Sequence, residues 1–390
     1  MPAVIDVSKT DDPRDVVHRT VQALAEGKLV VFPTETVYGV AASALNEPAV
    51  ERLAALRGSA AADGLTLVVR SYDEALDYAP HLSPLAQRLA RRCWPGPLTL
   101  VVEDSQSESL VSRLPPSVQT AVNPRGTVAL RVPAHSLIQS ALRLAVGPLL
   151  LTKVSGPTDG FAVSAQEVLS SVGDDVALVL DDGRTRFAAP SSVVRVRGRE
   201  IEVTRTGVLN EATLMRLSSL MILFVCTGNT CRSPMAEVLM RRRAAERMGC
   251  SMQELADRGV LILSAGIAAM SGSAASAEAH EAVTDRGLDL RQHESQPVTD
   301  RLIRFADMIL TMTRGHREAV LAQWPDAAPR TRLLSRSKSD VSDPIGGPLE
   351  LYRRCADQID GHLAGWEQEI AWDEIPVLRS SRTSDQTRGS

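Results

Sequence analysis

The chain has 390 residues, 44% of them hydrophobic and 23% charged, with a formal net charge of −4. That length predicts two domains, and the near-balanced charge excludes a strong field for nucleic acid or membrane surfaces. Aromatics make up only 3% of the residues, so the cores must be built from Val, Leu and Ala.

Residues 1–210 alternate short apolar runs with amphipathic stretches. Strands are predicted at Leu29–Phe32, Leu65–Val69, Leu98–Val102, Val128–Val132, Leu149–Leu151, Ala177–Leu180 and Val193–Val196. Helices are predicted over 13–26, 48–57, 83–92 and 135–145. This alternation predicts an α/β domain with a mixed sheet. Gly and Pro around 183–200 predict hairpin turns. Residues 211–220 read as a short joint, helical or extended.

Met221 to Val225 is an apolar run, too short and too β-rich for a helix, and it opens a second domain over 221–372. Next come Cys226, Thr227, Gly228, Asn229, Thr230, Cys231, Arg232, Ser233 and Pro234. Pro234 suits the first turn of a helix, which 235–248 continue. Gly228 is expected to allow backbone angles that let the N–H groups of residues 227–231 turn inward as an anion nest. The positive end of the helix adds to that field and favours a thiolate at Cys226. Arg232 offers a planar fork matched to two phosphate oxygens, and Ser233 can donate a hydrogen bond to the sulfur. Together these residues make a phosphate cradle around a nucleophile.

The five cysteines (93, 226, 231, 250 and 355) show neither disulfide-framework nor zinc spacing. The seven histidines, His135, His280 and His316 among them, show no ligand spacing, so no metal site is predicted. No stretch reads as a signal peptide or a membrane span, and the expected location is a reducing cytoplasm. There, Cys231 is expected to trap an oxidised Cys226 as a reversible disulfide. Residues 373–390, Ser-, Thr- and Arg-rich from Arg379, are expected to be a disordered tail.

With Gly228, Asn229, Ser233 and Pro234 in place, the loop resembles that of the low-molecular-weight protein tyrosine phosphatases. The resemblance extends over 221–370: Ser264-Ala265-Gly266 fits the family's second loop, and 306–313 fit a later strand. It implies a doubly wound parallel sheet and a metal-free, cofactor-free phosphatase acting on phosphorylated proteins. Asp343-Pro344 fits the general-acid loop, with Gly346-Gly347 letting it fold over the site. Thr230, where tyrosine-specific members carry a bulky aliphatic residue, and Ile345-Gly346-Gly347 look like the bacterial protein-arginine phosphatases. Phosphoarginine is therefore favoured, with phosphotyrosine as the alternative.

In the first domain, the segments Phe32 to Gly39 (FPTETVYG), Trp94 to Thr99 (WPGPLT), Arg131-Val132-Pro133, Pro190 to Val194 and Arg205-Thr206-Gly207 occur in one family's order. They resemble the threonylcarbamoyl-AMP synthases, which join threonine, bicarbonate and ATP on the way to a modified adenosine in tRNA. The resemblance implies Thr34 and Tyr38 at a threonine pocket, Arg131 facing carboxylate and phosphate, and Ser191 and Arg205 at the nucleotide. His135 fits the same pattern. It also implies ATP, with Mg, as a substrate and the tRNA-modification machinery as a partner.

Two departures touch the phosphate clamp. Where members carry a Lys-x-Arg pair, this chain has Arg57 and Ser59, and where they carry an asparagine it has Lys153. Three readings of the first domain stand: a working synthase with a rearranged clamp, a degenerate nucleotide- or amino-acid-binding domain, or a scaffold.

Overall fold

The computed structural model describes residues 2–57, 64–104, 108–156, 160–172, 175–337, 339–372 and 375–378. Ser59 of the expected clamp and residues 373–374 and 379–390 of the expected tail lie outside these residues, whereas Val377–Leu378 within that stretch forms a strand, contrary to the expectation of disorder. The chain divides into two units, Met1–Leu217 with Val377–Ser390, and Ser218–Pro376.

In the first unit the strands are β1 (Ala3–Asp6), β2 (Leu29–Phe32), β3 (Gly39–Ser43), β4 (Thr66–Val68), β5 (Leu98–Glu103), β6 (Thr127–Arg131), β7 (Leu149–Lys153), β8 (Val176–Asp181), β9 (Ser192–Arg197) and β10 (Glu200–Arg205). Val377–Leu378 adds a strand beside β10, giving an eleven-stranded sheet in the order β1-β8-β2-β3-β7-β4-β6-β5-β9-β10 and then that last strand. Parallel and antiparallel pairs mix: β2 runs parallel to β8 and antiparallel to β3.

Alternation along the strands explains the two-sided core. Leu29 and Val31 join one apolar cluster and Val30 and Phe32 another, because successive side chains leave opposite faces of a strand. The helices α1 (Pro13–Ala25), α2 (Glu47–Arg57), α3 (Tyr72–Tyr78), α4 (Pro84–Cys93), α5 (Pro116–Val122) and α6 (Ser136–Leu144) cover both faces. Those of α1 and α6 bury Val16, Leu24, Leu137 and Ile138 with Phe32, while α2, α4 and α5 pack on the Leu29 side. Each such Leu or Val contributes about 1.5–3 kcal/mol on burial.

The elements that escaped the pattern reading include β1, β3, β10, α3, α5, a helix over Ala165–Ser171 and the strand Val377–Leu378. The edge strand β1 is half-exposed, β3 is built of small residues, and α3 and α5 span only seven residues each. The joint expected to be helical or extended over 211–220 is helical. After α7 (Ala165–Ser171), residues Glu211–Ser218 form α8, whose Leu214 is fully buried in the first unit's core. Arg92 Nη1 donates to Leu217 O at 2.7 Å, tying down the end of that helix.

The second unit holds β11 (Leu220–Cys226), β12 (Val260–Gly266), β13 (Met308–Thr311) and β14 (Thr331–Leu333), all parallel in the order β12-β11-β13-β14. The helices are α9 (Arg232–Met248), α10 (Ala277–Thr284), α11 (Asp300–Phe305), α12 (Arg314–Gln323) and α13 (Leu349–Glu369). Ile222, Phe224 and Cys226 face the cluster built with α9, α10 and α13, whereas Leu223 and Val225 pack towards α11 and α12. The strand's two-residue period thus sets which face receives the Cys226 thiol. Gly249 closes α9 in the left-handed conformation at φ 60°, where a side chain would be strained.

Candidate active sites

In the second unit, Cys226 ends the central strand β11 and Arg232 opens α9, so the residues between them cross the carboxyl end of the sheet. Crevices of this kind are where open α/β sheets bind ligands. The left-handed step in the loop falls on Asn229, at φ 56°, and not on Gly228, contrary to the sequence expectation. Asparagine tolerates that conformation because its short polar side chain bonds locally, and here those bonds are extensive.

Gln296 N donates to Asn229 Oδ1 at 2.9 Å, which makes that atom the acceptor and fixes Nδ2 as the donor. Nδ2 then donates to Ser233 Oγ and to Ser264 Oγ, both at 2.9 Å. Ser264 passes its own hydrogen to Glu237 Oε2 at 2.6 Å. Ser233 Oγ lies 2.9 Å from Cys226 Sγ and 3.4 Å from Ala265 O, two acceptors within reach of its one hydrogen. The backbone N–H of Asn229 reaches the same sulfur at 3.3 Å. The Asn229 N–H and the Ser233 hydroxyl thus both lie within hydrogen-bond reach of the Cys226 sulfur.

Arg232 is 5% exposed, and its Nη2 pairs with Asp343 Oδ2 at 2.5 Å. The acid expected from the distant Asp-Pro is thus brought to the loop. Gly346 takes φ 73° behind it, a turn that a side chain would strain. Thr230 Oγ1 lies 3.6 Å from Cys231 Sγ, and Thr230 O accepts from Ser276 N. Cys231 is buried and donates to Ser276 Oγ at 3.4 Å, with Tyr352 Oη 3.9 Å away. Thr227 Oγ1 meets His316 Nε2 at 2.9 Å.

Sequence reasoning passed over several of these groups. His316 is 5% exposed, and burial, then the Arg232 charge, push its imidazole down to about 4, so it is neutral at physiological pH. Its Nδ1 has no partner among the described residues. His293 Nε2 bonds Asn229 O at 2.7 Å. Cys355 Sγ donates to Ser342 O, and burial pushes that thiol up to about 12. No spacing rule links these residues to the loop; the nearest signal for His316 is Thr313, which caps α12 at His316 N.

In the first unit the expected residues fall into two groups. Thr34 Oγ1 donates to Val37 O and accepts from the N–H groups of Thr36 and Val37, building its own turn. Arg131 Nη2 donates to Glu35 Oε1 at 2.7 Å and to Thr36 Oγ1 at 2.9 Å, while Ala134 N donates to Glu35 Oε2. Tyr38 is buried and its Oη donates to Gly183 O; burial pushes the phenol up to about 12. His135 Nδ1 accepts from Leu137 N, capping α6, and its Nε2 lies 3.1 Å from Asp182 Oδ2. Thr34 and Arg131 are thus joined through Thr36 and Glu35, and Tyr38 and His135 through Asp182.

The second group surrounds Arg205, which grips Ser191 O through Nε and Nη2 and Ser191 Oγ through Nη2. Ser191 Oγ is 3.0 Å from Thr99 Oγ1. Lys153, at the end of β7, feels the charges of both Arg205 and Arg57. The structure thus brings Arg57, Lys153, Arg205 and Ser191 to one neighbourhood, from α2, β7, β10 and the loop before β9.

Comparison with known proteins matches this division. The family model described as telomere recombination, that of the Sua5, YciO and YrdC group, covers residues 22–207, and that of low molecular weight phosphotyrosine protein phosphatase covers 221–375. A protein-arginine-phosphatase of Geobacillus stearothermophilus is 36% identical over 143 residues, 36% of this chain and 88% of that protein. A putative threonylcarbamoyl-AMP synthase of Mycobacterium tuberculosis (strain H37Rv) is 33% identical over 188 residues, 48% of this chain and 82% of that protein. A threonylcarbamoyl-AMP synthase of Pyrococcus abyssi is 34% identical over 171 residues, 44% of this chain, which spans about half (48%) of that relative's length. The chain is an enzyme that belongs to two families at once, the low-molecular-weight phosphatases through its second unit and the Sua5, YciO and YrdC group through its first.

Proposed function

We propose that the second unit is a cysteine-dependent protein phosphatase that prefers phosphoarginine, and that the first unit makes threonylcarbamoyl-AMP from threonine, bicarbonate and ATP. The phosphatase reading is supported by one arrangement: the Asn229 N–H and the Ser233 hydroxyl reach Cys226 Sγ, and Arg232, at the far end of the same loop, is paired with Asp343. In the first step the Cys226 thiolate attacks phosphorus. The S–P bond forms as the bond from phosphorus to the leaving nitrogen or oxygen breaks, and Asp343 gives its proton to that atom. The loop N–H groups and the Arg232 fork hold the equatorial oxygens. In the second step Asp343 takes a proton from water, the water oxygen bonds phosphorus, and the sulfur leaves as thiolate, eased by Ser233.

The Thr230 hydroxyl can accept from a guanidinium or hold a water against one, which an aliphatic side chain at that position cannot do. The experiment is turnover of phosphoarginine and phosphotyrosine peptides by the parent chain and Thr230→Ile. Parent preference for phosphoarginine, lost in the variant, is the expected result; a strong phosphotyrosine preference in the parent sinks the arginine reading. Cys231, buried on the same loop as Cys226, is in addition proposed to trap a Cys226 sulfenic acid as a disulfide, with release of water, under peroxide. Five free thiols suit the reducing compartment, the cytoplasm, in which such a switch operates.

For the first unit, Arg57, Lys153 and Arg205 are suited to the phosphates of ATP, and Mg would arrive with the nucleotide, because this cluster is cationic. Such a product is a precursor for the tRNA-modification machinery. A second reading has its own support: Thr34, Tyr38, Arg131 and His135 all bond within the protein, as in a binding or scaffold domain. Pyrophosphate release by the full chain given ATP, threonine and bicarbonate separates the two.

A further inference from the structure

The strand β12 lies at one margin of the second unit's sheet. Leu220 N donates to Gly259 O and Ile267 N to Cys226 O, so the odd-numbered residues of β12 bond towards β11. The backbone groups of Val260, Ile262, Ser264 and Gly266 therefore face outward. Val260 N donates there to Leu255 O, Gln296 Nε2 to Ser264 O and Gly266 N to Gln296 O. Between these anchors, Val260 O, the N–H and C=O of Ile262, and Ser264 N have no hydrogen-bond partner among the described residues. Ile262 is nevertheless only 2% exposed, and Val260 and Ser264 1% each. Buried backbone groups are almost always paired, so this row calls for a partner from outside the unit.

The row opens onto a cavity of about 630 Å³, lined by four consecutive residues of the strand, Val260 to Leu263. Successive side chains leave opposite faces of a strand, so what these residues share with the cavity is their backbone edge. Met252 and Leu255 supply apolar wall, and the carboxylates of Glu237, Asp289 and Glu294 outnumber the one arginine, Arg241. Glu294 is exposed and makes no ion pair among the described residues.

We propose that this cavity docks an extended, basic segment of a partner protein, which adds a strand to β12 through the backbone of Ile262. One residue of an antiparallel strand exchanges both of its backbone hydrogen bonds with the residue opposite, which is what the unpaired N–H and C=O of Ile262 offer. The groups on Val260 and Ser264 continue the row at every second residue, a repeat that an extended peptide matches and a lone carboxylate or an apolar ligand does not. A basic side chain on the segment meets Glu294.

Occupancy of the edge reaches the Cys226 loop. Glu237, His293 and Gln296 line the cavity, and the same three support Asn229. Glu237 acts through Ser264, His293 bonds Asn229 O, and Gln296 N donates to Asn229 Oδ1. The docking site itself does not depend on the phosphatase reading of that loop.

The test is NMR titration of the full chain, labelled on its isoleucine nitrogens, with the peptide acetyl-Val-Arg-Val-Arg-Val-amide. The Ile262 amide signal is identified by its loss in Ile262→Val. It should shift downfield and saturate with a Kd of about 1 mM or tighter. The same peptide methylated on every backbone nitrogen, which cannot donate to the edge, should leave it in place. Glu294→Gln should weaken the parent peptide about two- to fivefold. An unmoved Ile262 signal leaves the edge to water and overturns the proposal, and so do equal shifts from the methylated peptide. Equal affinity for N-methylacetamide makes this a site for single amides and overturns the peptide. Unchanged affinity in Glu294→Gln overturns the preference for a basic segment. Saturating peptide should also change the rate of iodoacetamide labelling at Cys226 by about twofold or more. An unchanged rate with peptide bound overturns the link to the loop, whereas absent phosphatase turnover in the parent chain overturns only the reading of the loop.

Discussion

Arg232 Nη2 holds Asp343 Oδ2 at 2.5 Å, so the proposed phosphate-binding group and the proposed proton carrier begin as partners. Asp343 is 44% exposed at its side chain and Arg232 only 6%. The carboxylate is therefore the member freer to move, and in the proposed mechanism it yields the Arg232 fork to the phosphoryl group and carries the proton.

Asp343→Asn should lower kcat by about 10²–10⁴-fold on substrates with poor leaving groups. With p-nitrophenyl phosphate, whose leaving group needs little protonation, the first step should slow far less. Single-turnover kinetics on both substrates check this; equal losses on the two would remove Asp343 as the proton donor.

Asn229→Ala should destabilise the second unit by about 1–3 kcal/mol, because Ser233, Ser264 and Gln296 lose a shared partner and alanine is strained at φ 56°. Asn229→Gly relieves the backbone but not the hydrogen bonds. It should recover part of the stability while thiol reactivity stays low, read by the rate of iodoacetamide labelling at Cys226.

His316 gives a pH signature. Its imidazole sits at about 4 in the fold, against 6.5 when exposed, so the unfolded chain binds the extra proton between those values. Stability from this group is complete above pH 6.5 and is lost as pH falls towards 4, a change of about 2–3 kcal/mol. Chemical denaturation of His316→Asn from pH 7.5 to 4.5 should show a flatter profile than the parent.

Arg131 and Glu35 form a pair in which both side chains are about 5% exposed. Arg131→Met leaves the Glu35 charge buried alone and should cost about 3–5 kcal/mol of first-unit stability. The double variant Arg131→Met with Glu35→Gln should recover part of it. If denaturation midpoints show the single variant to be neutral, the pair does not hold the loop after β2.

The phosphatase loop was legible because its parts lie within nine residues, and local chemistry constrains them: a strand end, a helix start and a nucleophile between. Even there, the left-handed step falls on Asn229 and not Gly228, since the bonds that favour it come from Ser264 and Gln296, 35 and 67 residues away. His316 reaches Thr227 across 89 residues, and no periodicity encodes such a meeting. The strands β1 and β3 were silent for another reason, an exposed edge in one and small side chains in the other.

The two α/β units, the cysteine–arginine loop and the motifs that place the first unit in its family are legible in residue order alone. Those features are written in short contiguous segments, where residue type and spacing act directly on the backbone. The partners that complete them come from the fold: Asp343 on Arg232, and Ser264, Gln296 and Ser233 around Asn229. Charge and hydrogen-bond satisfaction depend on distance in space, and the sheet sets that distance by carrying strand ends from remote parts of the chain to one edge.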